Sequence, residues 1–417
     1  MSSESNQANP SSMIMGLVAL VVGLNLRPIL AAIGPLLADI QTGTGLTSPQ
    51  ASLLTSLPIL VMGVFALASG RLQRLIGEPR GIALGLAIIA LACATRWFFN
   101  GSMGLLITAA LGGIGIALIQ ALMPSYLKSN HPNQTGRLMG LFTTGIMAGA
   151  AIAAASAAPL SNLYGWPRVL ALACIPALIG LCVWLRSANS KFLISTNKQV
   201  LPVGSGRAWL LLVFFGLGTG AYTLVLAWLP SYYVQLGWTA EDAGYLLGAL
   251  TLTEVVAGLL VSALIGVFPD RRVPLMVVLV LLLCGLICLT IAPLTMASVA
   301  TVLLGLGIGA LFPLSLIVTM DHADSPSTAS SLLGFVQGGG YLIAGTMPYI
   351  AGIIRDNSDS LEYAWWAMQA GVVVLLLMVF FLNPKGSVCL VCSGQIFPDT
   401  KIGVLSTDSR SKTEGGR

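Results

Sequence analysis

Two ionisable residues stand deep in stretches that are otherwise apolar, and they carry opposite charges. Arg27 sits in GLNLRPILAAIGPLL (23–37), inside an apolar run that begins at Met13, and Glu254 sits in LTLTEVVAGLL (250–260). A guanidinium is a permanently charged planar fork of donors, suited to holding an anion. A carboxylate can take up and release a proton, and burial and a nearby cation compete over which form it holds. The pair therefore suggests anion binding at Arg27 and proton handling at Glu254. The alternative is that the two simply neutralise each other, or that Arg27 bonds to helix carbonyls.

The immediate neighbours favour an inward position for both. At helical spacing Arg27 shares its face with Gly23, Ala31 and Gly34, and Glu254 shares its face with Thr251, Gly258 and Ser262. Small residues on such a stripe allow close helix contact or leave space beside the charged group. Pro28 and Pro35 each lack a backbone donor, which frees the carbonyls of Leu24 and Ala31 and is expected to bend the helix at the arginine.

The elements that must position these residues follow from composition. Of 417 residues, 56% are hydrophobic and only 8% charged, against about a quarter charged in soluble domains. The chain reads as an all-α integral membrane protein. Apolar runs fall at about 13–40, 50–70, 81–99, 103–127, 138–160 and 167–185, then at 208–234, 241–266, 273–293, 296–320, 329–353 and 362–383. That makes twelve spans in two sets of six. At about 1.5 Å per residue, Arg27 lies about 20 Å along the first span, near the bilayer midplane. The expected organisation is a polar N-terminal tail (1–12), a first six-helix half (13–186), a linker (187–207), a second half (208–383) and a polar tail (384–417). The first apolar run is longer than a signal-peptide core and is expected to remain in the protein.

Lys and Arg concentrate on one side. Arg71, Arg74, Arg80, Lys128, Arg137, Arg186, Lys191, Lys198, Arg207, Arg271 and Arg272 fall in the loops after spans 2, 4, 6 and 8, whereas Arg96, Arg168 and Arg355 fall opposite. The positive-inside rule then places both termini in the cytoplasm. Trp97, Trp166, Trp184, Trp209, Trp238, Trp365 and Trp366 fall at span ends and read as interfacial anchors. The net charge of +5 is a product of this topology and points to the lipid bilayer, with no call for nucleic acid.

Five of the seven cysteines lie in apolar runs, and Cys389 and Cys392 form a lone CxxC in the tail, too few ligands for a structural zinc site. His131 and His322 lie at loop edges, where His322 with Asp321 and Asp324 reads as a cap or latch on span 10. No metal or cofactor is expected. Gly113, Gly140 and Gly145 recur 194 residues later as Gly307, Gly334 and Gly339, which suggests a duplicated six-helix unit with a site between the halves.

The loop Gly266-Val267-Phe268-Pro269-Asp270-Arg271 resembles the Gly-x-x-x-Asp-Arg signature of the major facilitator superfamily. With it go LLTSLPILVMG (53–63), GGIGIALIQALMPSYLK (112–128), GLGIGALFPLSLIVTMDH (305–322) and GFVQGGGYLIAG (334–345), which resemble the cyanate permease branch of that superfamily. A nitroimidazole exporter is a related member of this branch. The resemblance spans about residues 16–383. It implies the major facilitator fold, alternating access in an inner (plasma) membrane, and a small-anion substrate such as cyanate; proton coupling at Glu254 is the expectation from its buried position, with a permanent countercharge to Arg27 as the alternative. It also implies a conformational latch at Gly266, Asp270 and Arg271. In the loop after span 2, GRLQRLIGEPR (70–80), Arg74 stands where the latch acid would be.

In the superfamily, spans 1, 4, 7 and 10 line the central cavity, which makes Asn25, Gln120 and Tyr222 candidate substrate ligands beside Arg27. Gln337, before three glycines, is a further candidate, and Phe312-Pro313 reads as a bend or gate. One copy holds both halves, so a monomer suffices. The rival reading is an exporter of nitroheterocyclic or other drug-like compounds, which would reduce Arg27 to a structural role. No P-loop points to ATP. An enzyme would need a nucleophile, metal or acid/base constellation at depth, and the spans offer one carboxylate and no histidine.

Overall fold

The structure, a computed structural model, describes residues 10–188, 201–323, 326–358 and 360–382. Linker residues 189–200 and everything from residue 383, with Cys389 and Cys392, lie outside the described residues, as do Asp324 and the first nine residues. All regular structure among the described residues is helical.

Span 1 is broken into Pro10–Leu24, Pro28–Ala31 and Ile33–Thr44. The break falls at the arginine, as the prolines require. Leu26 and Asn25 fall back on i−3 acceptors, the carbonyls of Gly23 at 3.0 Å and Val22 at 3.2 Å. Spans 2 to 5 are Ser48–Leu67, Glu78–Thr95, Ser102–Asn130 and Thr135–Tyr164. Span 6 runs as Trp166–Leu172 and Cys174–Ser187, interrupted just before Pro176. In the second half spans 7 to 10 are Gly206–Gln235, Ala240–Leu264, Arg272–Ile291 and Ala297–Asp321, and span 12 is Glu362–Val379. These 11 spans are long and apolar enough to cross a membrane. The twelfth is the 33-residue helix Pro326–Ser358, whose sequence is diluted with Ser, Thr, Gln and Gly.

The halves repeat one another in contacts as well as in order. Gly145 of span 5 packs on the backbone of Leu20 in span 1, and Gly339 of span 11 packs on Leu212 in span 7. The correspondence drifts in register elsewhere. Gly113 of span 4 meets Pro58 of span 2, whereas Gly307, at the same 194-residue offset, meets Leu282 of span 9. By contact the counterpart of Gly113 is Gly309, which meets Glu254 of span 8.

Between the halves, span 2 packs along span 11 and span 5 along span 8. The second interface is uneven. At the end of the bundle away from the linker, a Cβ on Gly244 would lie 2.7 Å from the Ala154 carbonyl oxygen and one on Gly248 3.1 Å from the Ala155 Cβ. Asn162 also donates to Glu241 there, at 2.6 Å. Toward the linker end, Gly258 and Gly140 face nothing within 4 Å. The helices are sealed at the far end and splayed at the linker end.

Three residues read from sequence as boundary markers are interior. Trp184 is fully buried, donating to the Pro79 carbonyl at 2.9 Å with its ring against Tyr126, and Trp365 is fully buried against Tyr232. Adjacent helical residues point about 100° apart, so Trp366 can face outward, 56% exposed, while Trp365 faces in. Arg96, counted as a loop cation, is fully buried at the end of span 3.

Candidate functional site

The splayed end opens into a cavity of about 210 Å³ lined by spans 1, 4, 5, 7, 8 and 10. Its linker-side lining includes Gly140, Thr143, Leu259 and Ser262, all exposed, and its inner end holds Arg27, Tyr222 and Glu254, all buried. Arg27 and Glu254 are 4% and 3% exposed, so neither charge is neutralised by bulk water.

Arg27 reaches this position because the helix breaks beneath it. Its guanidinium lies over the ring of Tyr222, with Cζ 5.2 Å from the centroid, a cation–π arrangement that supports the charge without consuming a hydrogen-bond donor. Its Nε is buried without an acceptor. The stripe beside it is spent on close contact: a Cβ on Gly23 would lie 2.3 Å from the Phe142 carbonyl oxygen, and one on Gly34 2.9 Å from that of Leu226. Span 1 is thus wedged between span 5 and span 7.

Glu254 is carried in by span 8 where that helix touches span 10. A Cβ on Gly309 would lie 2.4 Å from the Glu254 Cα, so only glycine lets the two backbones approach this closely. Both carboxylate oxygens are buried without a hydrogen-bond partner. Arg27 and Glu254 share one cavity and form no ion pair, unlike Arg271 and Asp321 at 3.1 Å or Arg272 and Asp270 at 2.9 Å. A guanidinium and a carboxyl group that face one cavity without touching leave room for something between them.

Of the other candidates, Gln120 and Tyr222 line the cavity, and the Gln120 Oε1 and the Tyr222 hydroxyl are both buried without partners. Asn25 does not. Its amide donates back to the Val21 carbonyl at 2.8 Å and occupies the space left by Gly180 of span 6. Residues 25–27 form the non-helical break in span 1, and there Asn25 turns to span 6 while Arg27 turns to the cavity. Gln337, half-buried on span 11, is not among the cavity-lining residues. Phe312 and Pro313 do line it, as do Thr143, Thr144, Gly258 and Ser262. Phe214, Phe215 and Thr219 are lining residues that the sequence reading passed over. The spacing Phe215, Thr219, Tyr222 on span 7 is the helical signal that would have found them.

The sequence profile of the Major Facilitator Superfamily matches residues 15–345. The chain belongs to the Major Facilitator Superfamily. It is 36% identical to the cyanate transport protein of Escherichia coli (strain K12) over 88% of this chain and 96% of that protein. It is 31% identical to the 2-nitroimidazole transporter of the same organism, over 87% of this chain and 92% of the other. Among solved structures, the D-xylose-proton symporter superposes with a TM-score of 0.75 at 15% identity, covering 90% of this chain and 99% of that one. An inward-facing bacterial homologue of the human lysosomal transporter Spinster gives 0.71 at 15% identity, covering 90% and 97%. This superfamily member is therefore a multi-pass membrane transporter of the secondary kind.

The signature loop of this transporter is bonded to its own half. Arg272 clasps Asp270 through its backbone and side chain, and these bonds hold the Asp270 carboxyl below the usual carboxylate range. Arg271 donates to Asp321 at the end of span 10 and to the carbonyls of Ile265 and Phe268, in the turn that contains Gly266. These contacts tie the loop to span 10 of the same half. His322, beside Asp321, is buried with Nδ1 2.7 Å from the Val318 carbonyl. In the first half a carboxylate does the comparable tying, four residues beyond Arg74. Glu78 is 6% exposed and accepts from Ser125 at 2.5 Å and Ser129 at 3.1 Å of span 4.

Proposed function

We propose that this transporter moves a small anion, with cyanate as the first candidate, across an inner (plasma) membrane by alternating access, and that proton binding at Glu254 drives it. The supporting observation is Arg27 at the buried end of the cavity, carried on an aromatic ring and with no acceptor for its Nε. A structural arginine would be bonded to protein. An anion entering here meets a prearranged guanidinium fork and the unpartnered groups of Gln120 and Tyr222.

Glu254 gives the proton a place to ride. With its oxygens buried and free of hydrogen bonds, it is most economically held as the neutral acid until substrate or solvent reaches it. An anion on Arg27 and a proton on Glu254 cross together as a net neutral load, avoiding the cost of moving a bare charge through the bilayer. Taking the linker end as cytoplasmic, the splayed spans 5 and 8 leave the site open to the cytoplasm and sealed outside. Both termini are then cytoplasmic.

The test is uptake into proteoliposomes at matched protein density. Arg27→Gln is expected to lose on the order of 100-fold in transport, the value of about 3 kcal/mol for a charged hydrogen-bonding partner. Arg27→Lys keeps the charge but loses the fork and falls between. Glu254→Gln retains cyanate exchange while losing accumulation driven by a pH gradient. Near-normal uptake by Arg27→Gln removes the binding role, and intact proton-driven accumulation in Glu254→Gln removes the carrier role.

A further inference from the structure

The cavity is longer and more aromatic than a three-atom anion needs. From Tyr222, which carries Arg27, to Phe215 is seven residues of one helix, about 10 Å along its axis. Phe215 has its ring centroid 5.7 Å from that of Phe312 on span 10 and 5.5 Å from that of Tyr341 on span 11. Half-buried Phe312 and Leu316 line the cavity, backed by Phe214 and Phe215, each 1% exposed. The site is therefore charged at one end and aromatic at the other. Its volume of about 210 Å³ has room for several waters beside a triatomic ion. An anion bound only at Arg27 would leave the Phe312 end filled with water against apolar surface.

We propose that the cavity takes planar, ring-bearing organic anions, the aromatic and heteroaromatic carboxylates, as larger substrates than cyanate. The carboxylate lies on the Arg27 guanidinium, and the ring extends along span 7 to pack against Phe312, which Phe215 backs from behind. Offset or edge-to-face contact with the Phe312 ring favours an aromatic ligand over a saturated one of equal length. Unpartnered Gln120 meets polar substituents on the ring edge. This inference rests on the reading of Arg27 as the anion-holding group.

The test is equilibrium binding to the purified full-length transporter with four probes: cyanate, acetate, benzoate and neutral benzamide. Benzoate is expected to bind at least tenfold more tightly than acetate and at least tenfold more tightly than benzamide. Phe312→Leu is expected to weaken benzoate at least threefold more than it weakens cyanate. Arg27→Gln is expected to weaken cyanate, acetate and benzoate together. Benzoate no tighter than acetate, or equal losses for benzoate and cyanate in Phe312→Leu, overturns the ring-binding proposal while leaving Arg27 as an anion site. Loss of none of the anions in Arg27→Gln overturns the functional reading beneath it, and absence of binding by every probe overturns both.

Discussion

Two arginines are buried in the first half, and their surroundings differ in kind. Arg96, fully buried, donates to the Thr108 hydroxyl at 3.2 Å and to the Ile29 carbonyl at 3.5 Å, joining the end of span 3 to span 4 and to the short middle piece of span 1. Arg27, two residues from Ile29, rests on an aromatic ring and faces a cavity. The Arg96 guanidinium holds helices together through Nε and Nη1, with Nη2 buried and unpartnered. The other is kept available. Burial of a charge is expensive either way, so what separates a structural arginine from a binding one is whether it bonds other helices or faces a cavity.

The largest effect expected from this contrast is on stability. Arg96→Ala should leave a void among spans 1, 3 and 4 and lower the unfolding free energy by about 2–4 kcal/mol, read as a reduced melting temperature in detergent. Arg27→Ala borders a cavity that already exists and should cost far less. Equal losses for the two would break the distinction. Next in size is Tyr222→Leu, which removes the ring under Arg27 while keeping an apolar side chain. A cation–π contact of about 1 kcal/mol predicts a roughly fivefold weaker anion affinity, with little change in melting temperature. No change in affinity would mean that the ring does not position the guanidinium.

The smallest effect belongs to a third setting, the solvated pair Arg272–Asp270. Its hydrogen bonds hold the Asp270 carboxyl below the usual range, so its contribution is present above the ordinary carboxylate pKa and is lost as pH falls through the lower folded value. Because the pair is open to solvent, Asp270→Asn should change stability by less than about 0.5 kcal/mol at neutral pH. A loss of several kcal/mol would show that the loop carries more of the fold than its exposure suggests.

Much of the architecture was legible in the sequence because lipid leaves so few choices. Apolar run lengths marked the spans, and Pro28 marked the break in span 1. Arg27 and Glu254 were legible for the same reason: a charge in the middle of an apolar run has to face something other than lipid. Facing direction was harder to read. Asn25 shares a span with Arg27 yet turns to span 6 at the non-helical break, and Trp365 turns inward beside an outward Trp366 because neighbours on a helix point far apart. Arg96 was hidden by position. At the end of an apolar run it looks like a loop residue, and only tertiary packing reveals Thr108 and Ile29 as its acceptors. The partner of Arg271 was equally hidden, since Asp321 lies 50 residues on.

The most direct measurement is the thermal stabilisation of purified wild-type and Arg27→Gln protein by cyanate, with Arg96→Lys as the structural control. The account predicts that cyanate raises the melting temperature of wild type and of Arg96→Lys. It predicts no shift for Arg27→Gln, whose melting temperature without ligand is not lowered. A cyanate-induced shift of undiminished size in Arg27→Gln would contradict it.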